Sequence, residues 1–116
     1  MKTINIKGKE YVPVVERVKE AHKLAQDLEI ETQMISGFET RVVVKAIVKF
    51  NGKTFTGHSQ AEYGKGMMGA VALEVAETSA IGRALGFANI GLIDGIASAD
   101  EMRKVGKQED TEDLPF

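Results

Sequence analysis

The stretch Arg41-Val42-Val43-Val44-Lys45-Ala46-Ile47-Val48-Lys49-Phe50-Asn51-Gly52-Lys53-Thr54-Phe55-Thr56-Gly57-His58-Ser59 decides the fold. Its β-branched first half favours an extended chain, because branched side chains pack well on a pleated surface. Asn51-Gly52 is a pair that a two-residue type I′ turn selects, since both central positions need positive φ. The return from Lys53 to Ser59 completes a hairpin whose register follows from the loop length. Phe50 lies opposite Lys53, Val48 opposite Phe55, Ile47 opposite Thr56, Lys49 opposite Thr54 and Lys45 opposite His58. Alternation then sorts the side chains. One face, with Val42, Val44, Ala46, Val48, Phe50 and Phe55, is predicted to be core; the other, with Arg41, Lys45, Lys49, Thr54, Thr56 and His58 around Val43 and Ile47, reads as basic.

The flanks build an α+β unit around this hairpin. Ile4 and Ile6 alternate with polar residues, and Gly8 permits a turn into Glu10-Tyr11-Val12, which predicts a short N-terminal hairpin. Pro13 suits the first turn of a helix. Val14, Val15, Val18, Ala21 and Ala25 follow at helical spacing, with Glu16, Arg17, Lys19, Glu20 and Lys23 placed on the surface, and the helix is expected to end near Asp27. Leu28, Ile30, Thr32 and Met34 alternate with Glu29, Glu31 and Gln33, giving a strand with one wet face that Ser36-Gly37 closes. Residues 62 to 69 lack period and read as a mobile loop. A long helix is predicted from Ala70 to Ala88, with Ala72, Ala76, Ala80 and Ala84 lining one half beside Ser79 and Arg83. Gly86, Gly91 and Gly95 punctuate a connector. Ser98-Ala99-Asp100-Glu101 has capping-box spacing for a last helix to about Val105. The expected fold is therefore a three-stranded antiparallel sheet packed by an N-terminal helix and a long alanine-rich helix. Residues 1–105 form the domain, and 106–116 form a disordered acidic tail.

The net charge of -2 hides an asymmetry. Glu109, Asp110, Glu112 and Asp113 crowd the end, so residues 1–108 carry 15 basic against 13 acidic side chains. A mildly basic body with an acidic terminus fits an interaction tail or a solubilising one. Cysteine is absent, which excludes disulfides, thiolate zinc sites and thiol nucleophiles. The N-terminus lacks the apolar stretch of a signal peptide and nothing approaches membrane-spanning length, so a cytoplasmic location in a bacterial host cell, without membrane contact, is expected.

Catalytic chemistry finds few components. His22 and His58 are the two histidines; His22 falls on or beside the apolar side of its helix, and His58 lies beside Lys45. Glu74 and Glu77 share a helix face and have acid and base spacing, but such surface carboxylates are usually solvated or paired with cations. Gly52-Lys53-Thr54 mimics the end of a P-loop, yet Ile47 stands where that motif wants glycine and a hairpin replaces the strand-to-helix transition. No enzymatic activity, metal or cofactor is expected. Arg41, Lys45 and Lys49 recur every fourth residue on one strand face, about 13 Å apart, a spacing that lets them meet alternate phosphates of a stretched single strand. Gly64-Lys65-Gly66 reads equally as a phosphate contact or a plain loop. Phe38 and Tyr63 are candidate stacking platforms or packing residues.

The last residues, Glu109 to Asp113 followed by Leu114-Pro115-Phe116, resemble the acidic tip of bacterial single-stranded DNA-binding proteins (SSB). In such a tip the terminal phenyl ring enters an apolar pocket while its α-carboxylate and the acids pair with a partner's cations. Asn5-Ile6-Lys7-Gly8-Lys9, Glu77-Thr78-Ser79-Ala80-Ile81-Gly82-Arg83-Ala84-Leu85-Gly86-Phe87 and Ile96-Ala97-Ser98-Ala99-Asp100-Glu101 resemble a set of phage and mobile-element proteins. The layout of helix, three strands and helix is similar to phage single-strand annealing proteins of the Sak and Erf type. That resemblance implies a β-β-β-α core, ring or filament homo-oligomers, and a DNA track on Lys45, Lys49 and Arg83.

The combined expectation is a non-enzymatic single-stranded DNA-binding protein of phage or mobile-element replication or recombination. Its DNA contacts would be Arg41, Lys45, Lys49, Lys53, His58, Lys65 and Arg83. Its tail (Asp110, Glu112, Asp113, Leu114, Pro115 and Phe116) would recruit a helicase, nuclease, primase or polymerase. Annealing of complementary strands is a possible extension. An OB-fold SSB is the alternative that the tail favours and the two helices disfavour; a protein adaptor such as a helicase loader, which binds no DNA, is the alternative from another class.

Overall fold

The computed structural model describes residues 1–36, 40–63, 71–91 and 97–106. A small hairpin, β1 (Ile4–Ile6) and β2 (Lys9–Tyr11), precedes helix α1 (Val14–Leu24). Strands β3 (Glu29–Ser36), β4 (Arg41–Phe50) and β5 (Lys53–Glu62) form one antiparallel sheet in the order β3-β4-β5. Helix α2 (Ala72–Phe87) and the short helix α3 (Ala99–Gly106) follow.

The β4–β5 register is the one that the Asn51-Gly52 turn dictates: Phe50 pairs with Lys53, Val48 with Phe55 and Lys45 with His58. Asn51 and Gly52 adopt φ of 53° and 76°, the left-handed pair of a type I′ turn. Pairing continues past Ser59 to an Arg41–Glu62 rung, so β5 outruns its expected end. On β3 the pairing shifts between Met34 and Ser36, a bulge that leaves Ile35 half exposed.

Val42, Val44, Ala46 and Val48 are buried on the covered face of β4, against Ala72, Ala76, Ala80 and Ala84 of α2. Each buried valine contributes about 1.5–3 kcal/mol. Small side chains let α2 lie close to the sheet, and position 57 sets the limit. A Cβ there would sit 2.5 Å from the Ala84 backbone nitrogen and 2.6 Å from the Ala80 carbonyl oxygen, so only glycine fits. Helix α1 packs beside α2, with Ala21 buried and Val18 against the same core.

Three further expectations change. Helix α1 stops at Leu24, and Ala25 is already extended; Asp27 instead accepts the Asn51 N–H at 2.9 Å, fastening the β4–β5 turn to the loop before β3. Arg17, expected on the surface, is wholly buried. The Ser98 cap forms as predicted, its Oγ accepting the Glu101 N–H at 3.3 Å, but the Glu101 side chain turns inward instead of reaching back as a capping box would have it.

The terminal elements pair with each other. Tyr11, Ala97, Ala99 and Met102 form a second small core with Ile4 and Ile6, and the Ala99 N–H donates to the Val12 carbonyl. Residues 37–39, 64–70, 92–96 and 107–116 lie outside the described residues, and with them Phe38, the Gly64-Lys65-Gly66 loop and the acidic tail.

Candidate nucleic-acid interface

Both long helices lie on one side of the sheet, so the opposite face is open among the described residues. Its side chains form rungs across the three strands. Gln33, Lys45 and His58 make the central rung; Glu31, Ile47 and Thr56 the next; Glu29, Lys49 and Thr54 the one nearest the turn. Toward the other end lie Val43 opposite Gln60 and Arg41 opposite Glu62. The structure thus brings Arg41, Lys45, Lys49 and His58 onto one face, as expected.

That face is less basic than the hairpin alone indicates. Docking β3 against β4 adds Glu29 and Glu31, and the longer β5 adds Glu62, so three carboxylates stand beside three strand cations. The charges segregate across the sheet. The β3 edge is acidic, whereas β4 and β5 present Arg41, Lys45, Lys49 and His58 among Thr54, Thr56 and Gln60, with Glu62 at one end. Alternation in Leu28–Met34 already put these glutamates on the wet face; placing that face level with the hairpin's basic one required the β3–β4 pairing.

Two other predicted contacts lie elsewhere. Lys53, paired with Phe50, belongs to the helix-side face at the turn. Arg83 points toward α3, where its Nη1 lies 3.6 Å from Glu101 Oε2 and its side chain is only 18% exposed. Lys65 and the tail residues Asp110, Glu112, Asp113, Leu114, Pro115 and Phe116 lie outside the described residues. His22 is exposed on α1, and Glu77 accepts a hydrogen bond from the Thr32 hydroxyl at 2.7 Å.

Arg83 belongs to a buried charged cluster. Arg17 donates from Nη1 to the Gly82 carbonyl at 2.7 Å and from Nη2 to the Ala97 carbonyl at 3.3 Å. Burial pulls the Arg17 guanidinium below its ordinary pKa, while Glu101 and then Asp100 push it back up. Gly91, at φ 77°, passes so close that a Cβ would sit 2.6 Å from Arg17 Cγ. Gly82-Arg83 and Ala97-Ser98-Ala99-Asp100-Glu101, words that resembled phage proteins, therefore have a structural use: they bind α1, α2 and α3 together. Helical spacing placed Arg17 in solvent because its acceptors stand 65 and 80 residues away.

Among the described residues no Phe or Tyr occupies the open face. Phe50 and Phe55 stack on the helix side with ring centroids 5.7 Å apart, Tyr63 packs against the main core and Tyr11 against the small one. Tyr63 is thus a packing residue. Among the described residues no group of three His, Cys, Asp or Glu could hold a metal ion, and no helix is long and apolar enough to cross a membrane.

Comparison with curated proteins and with solved structures gives no match. A protein family does match, over residues 18–88, from within α1 through β3, β4 and β5 to the residue after α2. The family is neither a phage Sak or Erf family nor an SSB family, so the resemblances drawn from sequence words and from the terminal acids are overturned. The first of those words makes the turn of the β1–β2 hairpin and the other two report helix packing, and the acidic end is too short to define a lineage. With well over half of its length in the match, the chain belongs to the Slr1353 N-terminal dsRNA-binding domain-like family.

Proposed function

We propose that this chain is a non-catalytic nucleic-acid-binding module that grips the phosphate backbone of a duplex, with double-stranded RNA the favoured ligand. One observation carries the reading: the α-β-β-β-α unit that the family match spans exposes a sheet face with cations on its middle strand and, among the described residues, no aromatic ring. Proteins that hold single strands without sequence preference combine a basic groove with aromatic platforms for unstacked bases. Duplex RNA is recognised by shape and by contacts to phosphates and 2′-hydroxyls, which lysine, threonine and glutamine supply. Lys45, Lys49, His58, Thr54, Thr56 and Gln60 provide such groups on β4 and β5; Arg41 extends the strip, and Glu29 and Glu31 keep a polyanion off the β3 edge. The acidic tail would stay clear of the ligand and hold a protein partner.

The test is a titration of the full chain with labelled RNA duplex, DNA duplex and single strands across a salt series. Duplex binding with a negative slope of log affinity against log salt, reduced at least about tenfold at low salt by K45E/K49E, is the expected result. Preference for single strands would restore the stretched-strand reading of Arg41, Lys45 and Lys49, and absence of binding to any nucleic acid would favour a protein adaptor.

A further inference from the structure

We infer that the β1–β2 hairpin is a second, basic contact for the same ligand, a finger whose Lys7 and Lys9 reach phosphates outside the sheet face. The inference rests on the nucleic-acid reading above and adds a surface that the family match, which begins at residue 18, leaves out.

Charge distribution is the first support. Residues 18–88 carry eight Lys or Arg and eight Asp or Glu, so the matched unit has no excess of either sign. Residues 1–13 carry Lys2, Lys7 and Lys9 against Glu10. All three lysines are exposed. A protein whose central domain is neutral gains long-range attraction for a polyanion from wherever its surplus cations are gathered.

Backbone conformation is the second. The turn between β1 and β2 is a left-handed pair, Lys7 at φ 52° and Gly8 at φ 84°. The same turn between β4 and β5 is made by Asn51 and Gly52, the residues that the geometry prefers. A lysine at the first of these positions is sterically disfavoured, and strained positions of this kind gather where function needs a particular side chain. Here the side chain stands at the tip of a ribbon and ends in an ammonium.

Rigidity is the third. Ile4, Ile6 and Tyr11 pack on Ala97, Ala99 and Met102, and the Gly8 N–H donates to Asn5 Oδ1 at 3.2 Å. The tip is therefore held in place before any ligand arrives, which lowers the entropy lost on binding.

The test sets stability against affinity. In the full chain, K7N installs a residue that tolerates left-handed φ, and K9Q removes the neighbouring charge. Each is titrated with an RNA duplex longer than about 16 base pairs across a salt series and melted without ligand. K7N is expected to melt no lower than the parent while binding several-fold more weakly. K7N/K9Q is expected to flatten the salt slope by about two, one phosphate contact per lysine. Parental affinity and slope in K7N/K9Q would overturn the finger while leaving the sheet face standing. A parent chain that binds no duplex overturns the nucleic-acid reading itself. If the double variant loses binding to vesicles of anionic phospholipid but keeps duplex binding, the hairpin serves a membrane surface and the inference is wrong.

Discussion

The Val14 N–H donates to Asp100 Oδ1 at 2.7 Å, joining the first turn of α1 to the first turn of α3 across 86 residues of chain. Pro13, at the N-cap of α1, makes no side-chain capping bond, so the first donor of the helix is satisfied by a carboxylate from the other end of the protein. The negative charge also suits the positive end of the helix dipole. Asp100→Ala is expected to lower stability by about 1 kcal/mol, with Asp100→Asn recovering most of it. Urea denaturation checks this; equal midpoints for parent and Asp100→Ala would show that the cap contributes nothing.

Gly57→Ala tests the approach of α2 to the sheet. The added methyl meets backbone atoms of Ala80 and Ala84, which cannot swing aside as a side chain would. A loss of about 3 kcal/mol is expected, the upper end of overpacking costs. Thermal melting should show a lower midpoint, and wild-type stability would mean that α2 sits further from β5 than these distances state.

Glu101→Ala removes a carboxylate that both Arg17 and Arg83 feel in the interior. Breaking a buried ion pair from one side costs about 3–5 kcal/mol, because the remaining charge keeps its desolvation penalty. Denaturant unfolding should register that loss. A change below about 1 kcal/mol would indicate that water reaches the guanidiniums when Glu101 is cut back.

The Glu16 carboxyl gives stability a pH dependence. The Lys2 backbone N–H, donating at 3.3 Å, holds its pKa below the ordinary 4.5, partial burial opposes this, and Lys19 adds to the lowering. A depressed folded pKa means that the unfolded chain takes up the proton more readily. The contribution is therefore fully present above the ordinary carboxylate range and is lost as pH falls through the folded value. Glu16→Gln should show a shallower loss of stability between about pH 5 and about pH 3 in urea melts; parallel curves for variant and parent would exclude the contact.

Arg41 to Ser59 contained its own register, faces and turn because every determinant of a two-residue hairpin is local. The N-terminal hairpin, the alanine stripe of α2 and the Ser98 cap were legible for the same reason: each depends on residues within a turn or two of one another. Membership of the family was not, since short shared words do not mark descent when their residues, Arg83 and Asp100 among them, are there to hold helices together.

By itself, then, the sequence determined which elements form and which side of each is apolar. Tertiary structure decided what the polar sides face. It put Glu29 and Glu31 beside Lys45 and Lys49, turned Arg83 from a ligand contact into a partner of Glu101, and drew Arg17 out of solvent. The reason is range: turn chemistry and side-chain alternation are set by residues near in sequence, whereas the field around a charge depends on strands and helices brought alongside it from far along the chain.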